Sequence, residues 1–400
     1  MKKLFLITIT ALTIHANAQT GTWISLNSGV TNHLLGVSVV NSNTCYVCGV
    51  AGIILKTTDG GGSWHSQTSG TNEDLYSICF TDSLHGVAVG NGGAMIRTTN
   101  AGATWTNVSM TTDALRNVSF YNSNTGFAVG GVSSTYGSIF KTTDGGATWN
   151  QQTVFSSDVL YSIDFTSLTE GYCCNGSGEI FKTINGGTSW TLLSGSSANS
   201  LFLLDFLSTT KGIIVGNSGT ILKTTNSGAL WSTVPSGTTD LLCGLKFINT
   251  NLGYAVGGNV GMNTGIILKT TDGGNTWTMN TPGTSRLYRV DFANTYTGYA
   301  VGFDGTILKF NVKVGIDETL SSNGINIYPN PFNSQTTISF SSNQNNVSIR
   351  IMDILGEEIK TINFTGSQLI LEKENLKEGV YFVQISDMQH TKSNMKIVIQ

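Results

Sequence analysis

Seven tryptophans divide most of the chain into a regular register: Trp23, Trp64, Trp105, Trp149, Trp190, Trp231 and Trp277. Their spacings are 41, 41, 44, 41, 41 and 46 residues, and no tryptophan lies outside the series. A period of about 40–45 residues is the length of one four-stranded β-propeller blade. The register therefore predicts an all-β protein built around a seven-bladed β-propeller.

Each unit repeats four segments in the same order. An apolar segment such as LYSICF (75–80) is followed by a GYAVG-type segment, as at 253–257, then by a GIILKTT-type segment, and finally by an Asp/Asn–Gly turn leading to the tryptophan. The seventh unit stops at GTILKF (305–310) without that turn, whereas an orphan GTWISLNSG (21–29) precedes the first unit. We therefore expect the N-terminal strand to close the last blade, which removes both open sheet edges.

The turn before each tryptophan reads Thr-x-Asp/Asn-x-Gly-x-x-Trp. With the GYAVG segments, over about residues 21–311, it resembles the BNR/Asp-box propellers. Within that group the paired motifs are most similar to the photosystem II assembly and stability factor family. The resemblance implies the propeller fold and, as one functional alternative, an assembly chaperone.

We expect the Asp box to be structural. Its central residue is an acid in some units and an amide in others; both accept hydrogen bonds, but only a carboxylate serves as a general base. Turn glycines permit positive φ, and each tryptophan ring can bury between blades while its indole N–H finds a partner. Besides the seven tryptophans, the residues with this role are Asp59, Asn100, Asp144, Asn185, Asn226 and Asp272.

The N-terminus has the pattern of a secretory signal peptide over residues 1–18. Lys2 and Lys3 precede an apolar run at 4–14, and Ala16-Asn17-Ala18 forms an A-x-A cleavage site. That run is too short to cross a bilayer, and we expect no transmembrane segment in the mature chain. The sequence thus predicts export, with cleavage near Ala18.

The net charge and the positions of the cysteines limit the classes of partner and ligand that we expect. The net charge of −3 gives no reason to expect nucleic acid or an anionic membrane. Of the six cysteines, Cys45 and Cys48 lie three apart in one predicted strand, and Cys173 and Cys174 are adjacent, so each pair faces opposite sides. We expect buried free thiols, with no metal and no cofactor.

The face opposite the Asp boxes is the predicted ligand face. Acidic residues stand two positions before four of the innermost strands, and two lengthened loops (130–138 and 257–265) belong to the same face. The four acids could form a weakly cation-attracting rim, although turn capping is the role that we favour for them. Neutral drift is the alternative origin of the loops. The candidate residues are Glu73, Asp113, Arg116, Tyr136, Asp158, Asp240, Met262, Arg286 and Arg289.

Four charged residues of the innermost strands are candidates for lining the channel: Asp164, Asp205, Lys246 and Asp291. Asp164 and Asp205 occupy the same position on neighbouring blades, so a paired-carboxylate hydrolase is an alternative function. An Asp-box sialidase would need an arginine trio and a tyrosine–glutamate pair, and the sequence lacks the arginine-bearing motif before the first repeat. No catalytic set emerges, and we assign no catalytic residue.

After a predicted linker at 312–324, the tail at 325–400 changes composition. Tyr328-Pro329-Asn330-Pro331-Phe332, then Gly379 and Tyr381 in GVYFV, then a Lys-led apolar end, resemble a type IX secretion C-terminal sorting domain. The resemblance implies a Bacteroidetes-type bacterium, a secreted or outer-membrane-attached protein, and the type IX machinery as a partner of residues 325–400. We expect this tail to be a small β-sandwich.

The sequence thus predicts a propeller at 19–311 followed by a sorting tail. Its predicted function is non-enzymatic binding of an extracellular protein or glycan. The alternatives are a sialidase- or glycosidase-like hydrolase and an assembly chaperone.

Overall fold

The structure is a computed structural model that describes residues 21–153, 156–193, 197–312, 325–353, 358–386 and 391–399. The predicted signal peptide, its cleavage site near Ala18, and all of the predicted linker except Val312 lie outside the described residues. Residues Gly21–Val312 form one compact unit, and the described residues from Ile325 onward belong to a second. Within the described ranges, no helix is long and apolar enough to cross a membrane.

The first unit consists of seven four-stranded antiparallel sheets, which are the blades. Their innermost strands are β2 (Leu34–Val39), β6 (Leu75–Phe80), β10 (Ala114–Phe120), β14 (Leu160–Phe165), β18 (Leu201–Phe206), β22 (Leu241–Phe247) and β26 (Leu287–Asn294). The second strands are β3 (Cys45–Gly49), β7 (Gly86–Gly90), β11 (Gly126–Val132), β15 (Gly171–Asn175), β19 (Gly212–Gly216), β23 (Gly253–Asn259) and β27 (Thr297–Gly302).

The two outer positions of each blade complete the sheets. The third strands are β4 (Ile54–Thr57), β8 (Met95–Thr98), β12 (Tyr136–Thr142), β16 (Ile180–Thr183), β20 (Ile221–Thr224), β24 (Thr264–Thr270) and β28 (Ile307–Val312). The outermost strands are β5 (His65–Gln67), β9 (Thr106–Asn107), β13 (Asn150–Gln152), β17 (Thr191–Leu192), β21 (Ser232–Thr233), β25 (Thr278–Asn280) and, for the seventh blade, β1 (Gly21–Leu26). Single 3₁₀ turns, Val50–Gly52, Asn91–Gly93 and Asn217–Gly219, join second to third strands in three blades.

The N-terminal strand closes the ring, as predicted. β1 pairs antiparallel with β28, placing Trp23 opposite Phe310. The Trp23 ring packs edge-on against Tyr254 and Phe292, both 5.8 Å away between centroids. Each innermost strand contacts those of its two neighbours, and β26 contacts β2. The propeller therefore has no unpaired end blade.

The core lies between blades rather than along one axis. At four of the seven blade junctions, the last phenylalanine of an innermost strand stacks on an aromatic of the preceding blade's second strand, as Phe165 does on Phe127 at 3.9 Å and Phe80 on Tyr46 at 3.8 Å. The tyrosine of GYAVG and the final phenylalanine of LYSICF are thus two halves of one contact. Repetition of this stack explains why both segments recur together.

The second unit is a five-stranded antiparallel sheet of β29 (Ile325–Tyr328), β30 (Gln335–Met352), β31 (Glu358–Glu372), β32 (Gly379–Ser386) and β33 (Thr391–Ile399). β31 pairs along one side of the long strand β30, and β29 and then β32 pair along the other. Ile338, Val347, Ile349, Val383 and Ile397 are fully buried in its core.

Candidate binding site at the channel and its mouth

The Asp-box side chains form hydrogen bonds within their own turns. In the third blade, Thr142 Oγ1 accepts a hydrogen bond from the Gly146 N–H (2.9 Å) and donates one to Asp144 Oδ1 (2.8 Å). Asp144 Oδ1 also accepts from the Thr148 N–H at 2.9 Å. Hydrogen bonds from Thr148 lower the pKa of Asp144 to about 2. In the second blade Asn100 Oδ1 accepts the equivalent bond from Thr104 at 2.9 Å, so the amide does the same work.

Steric constraints explain why the Asp-box turn contains a glycine. Gly146 has a φ of +83°, and a Cβ there would lie 2.8 Å from Val87 Cγ2 of the preceding blade. Both the left-handed backbone and the close approach therefore require glycine at this position.

The expectation that each indole N–H finds a partner is wrong for most of the turns. Trp149 Nε1 donates to the Gly146 carbonyl at 3.1 Å. Among the described residues, the buried Nε1 atoms of Trp64, Trp105, Trp190, Trp231 and Trp277 have no acceptor. In two of these turns the indole nitrogen lies against the turn glycine, Gly102 or Gly228. Burial of the ring outweighs the unmade bond.

A cavity of about 400 Å³ occupies the channel. Each innermost strand has a leucine at an equivalent position: Leu34, Leu75, Leu115, Leu160, Leu201, Leu242 and Leu287. Counting that leucine as the first residue, the fifth residue of every blade lines the cavity. This "fifth-position ring" is Ser38, Cys79, Ser119, Asp164, Asp205, Lys246 and Asp291. The four channel candidates from the sequence therefore do come together.

The carboxylates of this ring bind the next blade. Asp164 Oδ2 accepts from the Phe206 N–H at 3.0 Å, Asp205 Oδ2 from Phe247 at 2.6 Å, and Asp291 Oδ2 from Val39 at 2.8 Å. Each is a side chain of one blade holding the backbone of the next. We call these three bonds the "blade latches".

Lys246 interrupts the series and offsets part of its negative charge. Its Nζ lies 3.6 Å from Asp291 Oδ1. Attraction to Asp291, and then to Asp205 and Asp164, raises the lysine pKa, so its ammonium stays charged. Burial and then the Asp205 charge raise the pKa of Asp164 to about 7. The ring is thus a cluster of three carboxyl groups around one ammonium group, and each of the three also binds the backbone of the next blade.

The acids of the predicted ligand face brace loops. Asp113 Oδ1 accepts from the Tyr136 hydroxyl at 2.7 Å, and Asp158 Oδ1 from the Ser134 N–H at 2.6 Å. Glu73 and Asp240 each accept from an asparagine amide, both at 2.9 Å. These contacts favour the loop-capping role over a cation-attracting rim.

Two arginines of this face, unlike its acids, contact aromatic rings. The Arg116 guanidinium lies over the rings of Tyr76 (4.5 Å) and Tyr161 (5.9 Å), and that of Arg286 lies 4.1 Å from the Phe303 ring centroid. Their Nε atoms are buried, and no described residue accepts a hydrogen bond from either. They form two separate clusters, Arg116 with Tyr76 and Tyr161 and Arg286 with Phe303, which we together call the "mouth site".

Arg289 and Tyr288 lie beside this site. Arg289 Nη1 donates to the Cys243 carbonyl, and its guanidinium lies 5.3 Å from the Tyr288 ring centroid. Burial raises the pKa of Tyr288, and the charges of Arg289 and Arg116 oppose that rise. Arg116 of the third blade therefore acts electrostatically on a residue of the seventh.

The lengthened loops are hairpins with exposed apolar tips. Met262, between β23 and β24, is 72% exposed, and Tyr136, at the start of β12, is 41% exposed. Asn263 Nδ2 donates a hydrogen bond to Asp304 Oδ2 (2.8 Å). The hairpin at 257–265 therefore contacts the seventh blade, to which Arg286 belongs. Phe303 was missed in the sequence; its signal was a lone aromatic directly after a GYAVG segment.

All six cysteines are free thiols, and all except Cys79 are buried. Cys45 and Cys48 belong to different core clusters, as do Cys173 and Cys174. Among the described residues, no group of three His, Cys, Asp or Glu side chains is arranged to hold a metal ion.

In the tail, the sorting motif is hydrogen-bonded to the last strand, β33. Asn330 Nδ2 donates to the Lys396 carbonyl (2.7 Å) and its Oδ1 accepts from the Val398 N–H (2.8 Å). Phe332 is buried, and the Pro329 carbonyl accepts from Thr336 Oγ1 at 2.6 Å. Pro331 is exposed, Gly379 begins β32, and the Tyr381 hydroxyl donates to the Lys377 carbonyl at 3.0 Å.

Solved structures share the propeller fold. YCF48 bound to D1 peptide is 20% identical, with a TM-score of 0.59, covering 72% of this chain and 96% of that one. YCF48 from Cyanidioschyzon merolae is 18% identical, with a TM-score of 0.58, covering 72% and 98%. The WD40 propeller domain of Doa1 reaches a TM-score of 0.60 at 12% identity, over 73% and 97%. At these identities the likeness concerns the fold alone.

A curated relative matches over a shorter stretch. An endo-acting ulvan lyase from Formosa agariphila is 30% identical over 89 residues, which is 22% of this chain and 17% of the lyase. This chain thus spans about a sixth of that relative's length.

Two family models match the chain. The secretion system C-terminal sorting domain matches residues 326–400, so the tail is an export signal for secretion or surface display. The photosynthesis system II assembly factor YCF48 matches residues 15–154 and 153–278. Because this second match covers more than half of the sequence, the chain belongs to the YCF48 family of photosynthesis system II assembly factors and carries a C-terminal sorting domain after its propeller.

Proposed function

We propose that this chain is an exported, non-catalytic propeller that binds an extended, acidic segment of another protein at the mouth site. The observation that carries the proposal is the pair of arginines, Arg116 and Arg286. Each stacks on an aromatic ring and keeps a buried Nε without an acceptor in the described structure. A buried donor without a partner costs about 1–3 kcal/mol, and pairing of the guanidinium charge with a ligand carboxylate would offset that cost.

The surroundings suit a peptide. The hairpins bearing Tyr136 and Met262 offer exposed apolar side chains on the same face as the arginines. An extended segment with apolar residues beside a carboxylate could use both kinds of contact. The family relative whose structure contains a bound D1 peptide supports peptide as the ligand class.

Absence of catalysis is part of the proposal, and the blade latches support it. Asp164 uses both oxygens on backbone N–H groups, with Oδ1 accepting from Phe165 at 2.9 Å and Oδ2 from Phe206 at 3.0 Å. A hydrolytic pair needs one carboxylate free to attack or to activate water. Asp205 likewise holds the next blade through its Oδ2, which favours a structural role for both acids over the hydrolase alternative. Assembly of a partner is compatible with peptide binding.

The test is direct binding by the purified full chain. The probes are an array of peptides tiled from the source bacterium's exported proteins, with free and with amidated C-termini, and a panel of uronate oligosaccharides. We expect saturable binding to acidic peptides, weakened about 10- to 100-fold by Arg116→Gln or Arg286→Gln, since charge-assisted hydrogen bonds contribute about 1.5–3 kcal/mol.

Arg97→Lys is the matched control. Arg97 Nε donates to the Gly145 carbonyl at 2.8 Å, and Lys141 makes the equivalent bond to Gly186 in the next blade, so lysine can replace this arginine. Binding should survive Arg97→Lys. Binding of the oligosaccharides alone, or equal loss in all three variants, would contradict the proposal.

A further inference from the structure

The sorting motif contains residues that fold the tail and two exposed residues, Tyr328 and Pro331, for which no such contact is seen in the described part of the chain. Asn330 hydrogen-bonds two backbone groups of β33, Phe332 fills the core, and the Pro329 carbonyl accepts from the buried Thr336. Tyr328, the first residue of the same motif, is 79% exposed. Within the described part of the chain, its hydroxyl makes no hydrogen bond and its ring stacks on no other ring.

Strand register places a second exposed apolar side chain beside it. Tyr328 pairs with Thr337 of β30, and Thr337 pairs with Ile370 of β31. Residues paired across neighbouring strands point to the same side of the sheet. Ile370 is 58% exposed, and the residues that alternate with this row, Ile327 and Leu371, pack into the core. Tyr328, Thr337 and Ile370 therefore form one outward-facing row, here called the "outer row".

The border of the outer row is polar but mostly uncharged. The next paired set on the same side is Asn326, Ser339 and Gln368, and the set on the other flank is Gln335 with Glu372. An uncharged border around a tyrosine and an isoleucine suits a partner surface with an apolar pocket and hydrogen-bonding groups at its rim. It does not suit a charged membrane surface or a nucleic acid.

We propose that the outer row is the surface by which the secretion machinery recognises this sorting domain, with Tyr328 as the principal contact. The domain is by family an export address, so some of its surface must be read by that machinery. Folding accounts for Asn330, Phe332 and the Pro329 carbonyl, which leaves Tyr328 and Pro331 available for recognition. Of these two, Tyr328 has the larger exposed side chain and lies in the outer row. Tyrosine on an exposed strand supplies a large ring and a hydroxyl at low entropic cost, which suits a recognition contact.

The experiment follows export of the full-length chain in a type IX-competent bacterium. Tyr328→Ser and Ile370→Ser should each lower the extracellular or surface fraction several-fold, with accumulation in the periplasm. Melting temperatures of the purified variants should equal that of the parent chain. Tyr328→Phe, which keeps the ring, should export better than Tyr328→Ser.

Two controls separate recognition from folding. Ile359→Ser changes another exposed isoleucine of β31, 47% exposed, outside the outer row, and should leave export unchanged. Asn330→Ala should lower the melting temperature, because it removes two hydrogen bonds to β33. Normal export of the Tyr328→Ser, Ile370→Ser double variant would overturn the proposal. So would unfolding of the tail by Tyr328→Ser, since Tyr328 would then be a folding residue.

Discussion

Asp205 of the fifth blade accepts a hydrogen bond from the backbone N–H of Phe247 in the sixth, with 2.6 Å between Oδ2 and N. Asp164 and Asp291 make the same contact with their following blades. Acids at one position of the innermost strands thus hold neighbouring blades together.

Removing the Asp205 latch should destabilise the propeller. Asp205→Ala leaves the Phe247 N–H without its acceptor and should cost about 1–3 kcal/mol in the free energy of unfolding. Asp205→Asn keeps an acceptor oxygen and should cost less. Urea unfolding of the full chain, followed by tryptophan fluorescence, measures both.

Ser119→Ala is the matched control, because Ser119 occupies the same ring position and, among the described residues, makes no latch. It should change the unfolding midpoint little. If Asp205→Ala were as stable as the parent chain, the latch would have no energetic role.

The pH dependence of folding stability should reflect the titration of Asp164. Burial and the Asp205 charge raise its folded-state pKa to about 7, above the unfolded value of about 4. The folded state then binds the proton more tightly, so this contribution to stability is full below about pH 4 and is lost as pH rises through about 7. The melting temperature of Asp164→Asn should fall less than that of the parent chain across this window.

Asp144 provides a control of opposite sign. Its lowered pKa means that its contribution is present above about pH 4 and is lost as pH falls toward about 2. Asp144→Asn should therefore leave the slope between pH 4 and 7 unchanged. Identical slopes for the parent chain and Asp164→Asn would show that Asp164 does not titrate in this range.

Closure of the ring should depend on Trp23. Trp23→Ala removes the ring that packs on Tyr254, Phe292 and Phe310 and should destabilise the propeller by on the order of 3 kcal/mol. Thr22→Ala, at an exposed neighbouring position, should be close to neutral. Calorimetry of the two variants gives the comparison, and equal melting temperatures would mean that β1 adds nothing to stability.

Sequence repetition predicted the fold well because one contact set recurs in every blade. The Trp register, the GYAVG segment and the Asp box each correspond to an observed strand or turn, and the orphan GTWISL pairs with β28 as expected. The partnerless indoles of Trp64 and Trp277 were not foreseeable, since spacing does not fix the direction of an N–H.

The site was less predictable, for a physical reason. In the sequence, Asp164 and Asp205 resemble a pair of reactive acids. Only the packing of one blade on the next shows that both accept hydrogen bonds from backbone N–H groups of the following blade. Arg116 was a candidate, but its stacking on Tyr76 and Tyr161 depends on side chains from three blades. Phe303 became visible only through its contact with Arg286.

Hydrogen–deuterium exchange of the full chain, with and without a saturating acidic peptide from the binding screen, tests the central claim most directly. Peptide binding at the mouth site should protect the backbone around Arg116 and Arg286 and the hairpins at 130–138 and 257–265. The Asp-box turns on the opposite face should exchange as in the free protein. Protection confined to the Asp-box turns, or unchanged exchange around Arg116 and Arg286 in the bound state, would contradict the account.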